Sequence, residues 1–260
     1  MSPQLVFDDD LDASKVPQVT LAFWIIKILA TTLGEVGGDA VTMTMGLGYL
    51  VGTAIFASLF AVFVAMQIRA RGFHPALYWA TIVASTTVGT TMADFVDRSL
   101  GIGYTGGSTL LLALLLASLH AWWRSTGTLA VSSVRDAKSE LFYWVTITFS
   151  QTLGTALGDW VADTRGFGYT GGIVLFSGLL ALVALLSFPA RISRTALFWA
   201  AFVLTRPLGA VVGDFLDKPA AQGGLELSRY TGSTVLLVAM AACIAMIPQR
   251  AAQRAAQRVR

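Results

Sequence analysis

Four aspartates recur at a fixed distance from a tryptophan in this chain. Each tryptophan follows another aromatic residue; a glycine stands ten residues after it and an aspartate fifteen residues after it. A glycine or alanine directly precedes each of the aspartates, which are Asp39, Asp94, Asp159 and Asp214. Carboxylates inside an apolar chain usually face a cavity, an ion path or a partner. The four aspartates are therefore candidate ligands for a metal ion or carriers of a proton.

The first repeat carries further polar residues on the same face of its helix. Four residues are spaced four apart along it: Lys27, Thr31, Glu35 and Asp39. Residues with this spacing lie in one row on a helix. The counterparts of Glu35 in the later repeats are not acidic: Thr90, Thr155 and Ala210. Two interpretations stay open, namely that Lys27 or Arg206 neutralises Glu35 as a charge partner, or that Glu35 couples ion movement.

A layer of threonines lies next to this row. Thr32, Thr87 and Thr152 occupy equivalent positions, where the fourth repeat has Pro207. Hydroxyl and carboxylate oxygens suit hard cations such as Mg²⁺ and Mn²⁺, and they also carry protons. We therefore predict an outer site formed by the four repeated aspartates and a deeper path lined by the three threonines and Glu35. The five acids, Glu35, Asp39, Asp94, Asp159 and Asp214, are the candidate metal ligands.

Other residue types point away from catalysis. The chain has no nucleophile motif, and His74 and His120 do not recur in the repeats. The single Cys243 excludes a disulfide framework and a cysteine-rich metal site. We expect no catalytic residue, no enzymatic activity and no bound cofactor beyond a transported divalent cation. A structural role for the aspartates, in capping turns or in pairing with Arg98 and Arg165, is the alternative, and it is the preferred interpretation for Asp97, Asp163 and Asp217.

The elements that position these residues are predicted to be membrane-spanning helices. Of the 260 residues, 55% are hydrophobic and 13% are charged, with a mean hydropathy of +0.68. Soluble domains carry about 25% charged residues, so an ordinary soluble protein is excluded. A membrane-crossing helix needs about 20 apolar residues. Eight such spans are predicted, at residues 18–43, 48–68, 76–96, 104–123, 140–162, 169–189, 196–216 and 230–248.

The distribution of basic residues predicts the orientation. Twelve lysines and arginines fall on one side of the predicted spans and four on the other. The positive-inside rule then places both termini in the cytoplasm, with the chain in the bacterial inner membrane. The predicted organisation is an acidic tail at 1–17, one transmembrane domain at 18–248 and a basic tail at 249–260. We expect the lipid bilayer and a small cation as partners and no nucleic acid; a homo-oligomer stays open.

The transmembrane domain is predicted to be all-α and to contain four repeats, at residues 18–70, 74–124, 139–190 and 195–248. Each repeat is interpreted as a two-helix hairpin with an even number of spans, so all four share one orientation. This predicts a pseudo-fourfold, or two-plus-two, bundle of eight helices. Aromatic residues at helix starts predict an interfacial belt. Pairs of glycines four residues apart predict close helix packing, and the Gly-x-Gly-Tyr segments predict tight turns.

The repeated units also resemble a known family. FWIIKILATTLGEVGGDA, YWATIVASTTVGTTMADF, YWVTITFSQTLGTALGDW and FWAAFVLTRPLGAVVGDF resemble an uncharacterised bacterial family of multi-pass, membrane-anchored proteins. The resemblance covers nearly the whole chain beyond residue 15 and implies an inner-membrane location, without an activity. The segment from Glu35 to Asp39 is also similar to Glu-x-Gly-Asp motifs of small cation and manganese exporters, although its spacing differs and the following Lys-Thr is absent.

Three functions follow from these observations as hypotheses. The leading one is a transporter or exporter of a small cation, such as the divalent manganese ion, with proton coupling as an option. The second is a scaffold or assembly subunit that transports nothing and whose aspartates fasten helices. The third is a passive cation channel. A cavity that reaches the aspartates favours transport, whereas aspartates fully satisfied by helix ends favour the scaffold.

Overall fold

The computed structural model describes residues 14–164, 166–188 and 192–253, and most of them are helical. Eight long α-helices follow one another: α1 Leu21–Asp39, α2 Tyr49–Arg69, α3 Pro75–Asp94, α4 Gly103–Thr126, α5 Ala137–Asp159, α6 Gly168–Leu186, α7 Arg194–Asp217 and α8 Arg229–Met246. Apart from one isolated bridge between Pro17 and Ala251, the described residues contain no strand pairing. The predicted all-α fold is confirmed.

Six of these helices are long and apolar enough to cross a membrane: α1 with its extension to Thr44, α2, α4, α6, α7 and α8. The chain is therefore an α-helical membrane protein. Helices α3 and α5 are more polar because threonine and serine residues lie along them. These side chains are buried inside the protein, as Thr86 and Ser150 illustrate. Both helices nevertheless coincide with the predicted spans 76–96 and 140–162.

The first helix of each repeat lies inside the molecule. Helix α1 packs against α3, α3 against α5, α5 against α7, and α7 back against α1, so these four inner helices form a closed ring. The second helices, α2, α4, α6 and α8, surround the ring and bury few residues. Their exposed side chains are mainly leucine, valine and alanine, which suit contact with lipid.

The hairpin interpretation is wrong about packing. Each outer helix packs on the inner helix of the following repeat: α2 on α3, α4 on α5, α6 on α7, and α8 on α1. The predicted tight turns are present, and their glycines adopt the left-handed backbone, with φ of +70° at Gly46 and +76° at Gly48. The turn thus leads the chain away from its own inner helix to the neighbouring one.

The predicted close packing by glycines is confirmed within the inner ring. Each of four equivalent glycines contacts the same position of the next inner helix: Gly34 meets Thr86, Gly89 meets Gln151, Gly154 meets Arg206, and Gly209 meets Thr31. A Cβ atom added at Gly209 would lie 2.2 Å from Thr31 Oγ1. The small residue is therefore required for the helices to approach this closely.

The prediction of an aromatic belt at the lipid interface is wrong. The aromatic pairs begin the inner helices, which face one another, so their rings pack into a buried cluster at one end of the bundle. Tyr78, Trp79 and Tyr143 are fully buried, and the hydroxyls of the two tyrosines lie 2.6 Å apart. The cluster closes this end of the inner ring.

The described ends of the chain lie against the same end of the bundle. Residues 14–18 run alongside residues 250–252 and form backbone hydrogen bonds with them. Lys15 Nζ donates to Glu140 Oε1 over 2.6 Å and to the carbonyl of Gln67 over 3.0 Å. Residues 1–13 of the predicted acidic tail and 254–260 of the predicted basic tail lie outside the described residues.

Candidate ion-binding site

The four repeated aspartates lie together at the opposite end of the inner ring, and two cations join them in pairs. Arg98 lies 2.9 Å from Asp94 through Nε and 3.1 Å from Asp159 through Nη2. The remaining two aspartates share Lys218, as the distances to its Nζ show: 2.5 Å from Asp39 and 3.1 Å from Asp214. All four aspartates are buried. The predicted outer site is thus divided into two ion-paired halves.

The two cations occupy equivalent positions in the second and fourth repeats. Each stands four residues after the aspartate of its own repeat and reaches the aspartate of the next repeat in the ring. The other two repeats have Met43 and Asp163 at this position. The i to i+4 spacing of Arg98 and Lys218 was the available sequence signal for these pairs. Arg165, the other predicted partner, lies outside the described residues.

Lys218 carries its charge at neutral pH. Burial lowers the pKa of its ammonium, but the carboxylates of Asp214 and Asp39 outweigh burial, so the pKa stands above the ordinary value of 10.5.

Arg229, at the start of α8, adds a third cation at the rim: it hydrogen-bonds Asp217 and lies 3.7 Å from Asp39.

One turn deeper, Glu35 pairs with Arg206. The distance from Glu35 Oε2 to Arg206 Nη2 is 2.9 Å, and both side chains are buried. The same guanidinium nitrogen donates to Thr90 Oγ1 over 2.6 Å and to Thr155 Oγ1 over 2.5 Å. Of the two predicted charge partners, Arg206 is the one that contacts Glu35. The threonines that hold it are the repeat counterparts of Glu35.

Lys27 occupies a separate place further along the axis of the ring. Its Nζ lies 4.2 Å from the centre of the Phe202 ring and 3.4 Å from Gln151 Oε1. Its counterparts in the other repeats are the buried residues Ile82, Ile147 and Phe202. Among the described residues, the amino group of Lys27 therefore has an aromatic ring face and one long hydrogen bond as its polar contacts in an otherwise apolar layer.

The three predicted path-lining threonines are buried, but two of them bond to their own helices. Thr87 Oγ1 donates to the carbonyl of Val83, and Thr152 Oγ1 donates to that of Thr148, each over 2.9 Å. Thr32 is 2% exposed. Contact of these hydroxyls with an ion stays a prediction.

The acids of the two layers approach one another closely enough to share a cation. Glu35, Asp159 and Asp214 each offer an oxygen, and these oxygens lie within 4.8 Å of one another. A second group, Asp39, Asp214 and Asp217, meets the same limit. No described residue donates a hydrogen bond to Asp159 Oδ1 or Asp39 Oδ1, although both atoms are buried. Buried carboxylate oxygens without donors are the atoms that a cation or a proton would satisfy.

A cavity of about 540 Å³ adjoins the aspartate layer. Asp214, Lys218 and Arg98 line it together with Asp163 and Arg229 from the rim. The cavity connects the ion-paired layer with the end of the bundle where the turns lie. At the other end the aromatic cluster covers the axis. The buried acids are therefore approached from one side.

The comparison with known families follows the same four units. Residues 22–73, 77–128, 142–193 and 197–248 each match the family described as Repeat of Unknown Function (DUF347). The chain belongs to the DUF347 repeat family. Each match begins one residue before the aromatic–tryptophan pair and ends after the outer helix. Searches of curated proteins and of solved structures found no match. The prediction of an uncharacterised four-repeat family is confirmed.

Three of the four DUF347 repeats share a feature that sequence reasoning missed. Directly after the aspartate, the helix continues as a five-residue π-helix: Ala40–Thr44, Phe95–Ser99 and Trp160–Thr164. In the fourth repeat α7 stays α-helical through Asp214 to Asp217. Single π turns occur often at functional sites. In each of these three repeats, the π-helix directly follows the aspartate of the candidate site.

Proposed function

We propose that this DUF347 protein transports a small cation through the centre of a bundle of eight membrane-crossing helices with pseudo-fourfold symmetry. Glu35, Asp159 and Asp214 bind the ion, and Asp39 and Asp94 complete the outer layer. The observation that carries the proposal is the cavity that adjoins Asp214, beside buried carboxylate oxygens that lack a donor.

The balance of charge in the two layers supports a cation as the substrate. Among the described residues, these five carboxylates face three cations, Arg98, Lys218 and Arg206. Arg229 also lies 3.7 Å from Asp39, but its charge is matched by Asp217, to which it is hydrogen-bonded. With all groups ionised, two negative charges remain in excess (five minus three). Unbalanced charge inside a membrane is costly, so a divalent ion such as Mn²⁺ or two protons would compensate it. Exchange of one for the other gives proton-coupled transport.

A carrier is favoured over a passive channel. Arg206 is buried beside Glu35, where its charge repels a cation that moves beyond Glu35. The buried aromatic cluster around Tyr78 and Tyr143 then closes the far end. Passage of an ion therefore requires the inner helices to rearrange.

The scaffold hypothesis is the second candidate, and the ion pairs favour it. Arg98 and Lys218 each link aspartates of adjacent repeats. Such links fasten neighbouring inner helices whether or not an ion is bound. The scaffold hypothesis predicts that the acids matter for stability alone.

Membrane topology tests the proposed arrangement. We place both termini in the cytoplasm of a bacterial inner-membrane protein, so the loop after α7 lies outside. A reporter enzyme that works only outside the cytoplasm is expected to be active when it is fused after Ala220 and inactive when it is fused after Arg260. The reverse pattern would overturn the proposed orientation.

Transport is tested with purified variants in vesicles that report Mn²⁺ uptake and internal pH. Glu35→Gln is expected to abolish uptake or its pH dependence, because the neutral amide cannot exchange a proton. Asp159→Asn is expected to raise the Mn²⁺ concentration for half-maximal uptake by about tenfold, since it removes a ligand charge close to the ion.

The melting temperatures of the same variants in detergent separate the two functions. A transporter loses uptake in a variant that still folds. If both variants melt at lower temperature but leave uptake and its pH dependence unchanged, the acids are fasteners and the transport proposal is wrong.

A further inference from the structure

We propose that the ammonium of Lys218 is a tethered counter-ion, which occupies the cation site of the empty protein and must leave it before the transported cation binds. This inference rests on the proposed function and specifies how access to that site is regulated. The transported ion and Lys218 would then compete for the carboxylates of Asp39 and Asp214.

The position of the ammonium supports competition. Its Nζ lies 2.5 Å from Asp39 Oδ2 and 3.1 Å from Asp214 Oδ1, so one positive atom bridges two buried carboxylates from adjacent inner helices. Asp214 also belongs to both groups of acids whose oxygens lie within 4.8 Å of one another. A divalent ion bound between these oxygens would stand next to the ammonium and be repelled by it.

The structure also provides a place for the displaced side chain. Lys218 directly follows the end of α7 and lines the cavity of about 540 Å³. The carboxylate of Asp163 lines the same cavity and offers another acceptor. A lysine side chain has four rotatable carbon links and a compact charge, so it can change partners without movement of the backbone.

The corresponding cation of the other pair is less suited to leave. Arg98 contacts Asp94 through Nε and Asp159 through Nη2, so its planar group is held at two points. A guanidinium in such a two-point contact has a fixed geometry, whereas an ammonium does not. The two pairs thus differ in chemistry: Arg98 acts as a clamp and Lys218 as an exchangeable ion.

Equilibrium binding of Mn²⁺ to the purified full chain in detergent tests the inference. Lys218→Gln removes the competing charge and keeps a polar side chain of similar length. We expect its dissociation constant for Mn²⁺ to fall by about tenfold or more, as removal of a unit charge a few Å from the ion predicts. Lys218→Arg keeps the charge and is expected to bind no more tightly than the wild type. Lys138→Gln removes an exposed lysine near the start of α5 and is expected to bind like the wild type.

Several outcomes would overturn the inference. Equal Mn²⁺ affinity of Lys218→Gln and the wild type, with or without a lower melting temperature, would make Lys218 a structural fastener. Tighter Mn²⁺ binding by Lys218→Arg than by the wild type would also overturn the inference. This variant can be measured even if Lys218→Gln does not fold. Vesicle uptake by the wild type decides the transport proposal separately. If the wild type takes up Mn²⁺ but Lys218→Gln binds Mn²⁺ with unchanged affinity, only the counter-ion inference is refuted. If Lys218→Gln binds Mn²⁺ more tightly but the wild type takes up no Mn²⁺, only the transport proposal is refuted.

Discussion

Arg206→Leu is expected to lower the free energy of unfolding by about 3–5 kcal/mol, the typical cost of removing one partner of a buried ion pair. The reason is that Glu35, which is only 3% exposed, would keep its charge without a partner or take up a proton. Thr90 and Thr155 would also lose the donor to their hydroxyls. Unfolding of the purified protein in mixed detergent micelles, followed by circular dichroism, measures this change.

The double variant Glu35→Gln/Arg206→Leu provides the control. It removes both charges, so no uncompensated ion remains, and we expect it to regain more than half of the lost stability. If the double variant is as unstable as Arg206→Leu, the loss comes from the shape of the arginine side chain against Gly154 and not from its charge. That result would contradict the electrostatic account of the pair.

Gly89→Ala is expected to destabilise the protein by about 1–3 kcal/mol or more, as overpacking in a tight core does. The added Cβ would lie 2.8 Å from the carbonyl carbon of Gln151 and 3.0 Å from the backbone nitrogen of Thr152. Both are backbone atoms, so no side-chain rotation can relieve the contact. Helices α3 and α5 would have to move apart, which shifts the acids that follow them.

Gly178→Ala is the matched control on an outer helix. Apart from its chain neighbours and the backbone of its own helix, no atom lies within 4 Å of a Cβ added there, and the residue is exposed on α6. Alanine favours a helix over glycine by about 0.5–1 kcal/mol in water, so this variant is expected to be neutral or slightly more stable. Equal effects of the two substitutions on the unfolding midpoint would show that helix preference, and not close packing of the inner ring, explains Gly89.

The repeat made the positions of the acids predictable. Four copies of one pattern fix which helix each aspartate follows, and an even number of spans in each repeat places all four at the same end. The boundaries of the helices were also close to the predicted spans, because apolar length and glycine turns are local properties. The pairing of Glu35 with Arg206 was one of two options that charge balance in an apolar layer allows.

The packing partner of each outer helix, the surroundings of the aromatic pairs and the hydrogen bonds of Arg206 depend on contacts between repeats. Spacing along one helix does not determine these contacts. An outer apolar helix can pack on the inner helix of its own repeat or on that of the next repeat with similar burial. Only the tertiary structure shows that α2 packs on α3. The aromatic pairs looked like lipid anchors because their composition is the same in both environments. Thr90 and Thr155 were recognised as counterparts of Glu35, but their hydrogen bonds to Arg206 arise only when three different inner helices meet.

Because each outer helix packs on the inner helix of the next repeat, the bundle does not depend on which repeat comes first in the chain. Helix α8 holds α1 in the way that α2 holds α3, so the ring has no structural beginning. Residues 14–18 already lie beside residues 250–252, so a short linker can join residue 253 to residue 14. The segment at 127–136 makes the second inter-repeat connection longer than the others, and new termini fit at its exposed start, Gly127. A cut there keeps Leu129 and Val134, which accept hydrogen bonds from Trp199 and Lys15, on the third repeat. A circularly permuted chain that starts at the third repeat would preserve every contact of the inner ring. Four separate copies of one ancestral repeat would need the same geometry to assemble as a tetramer.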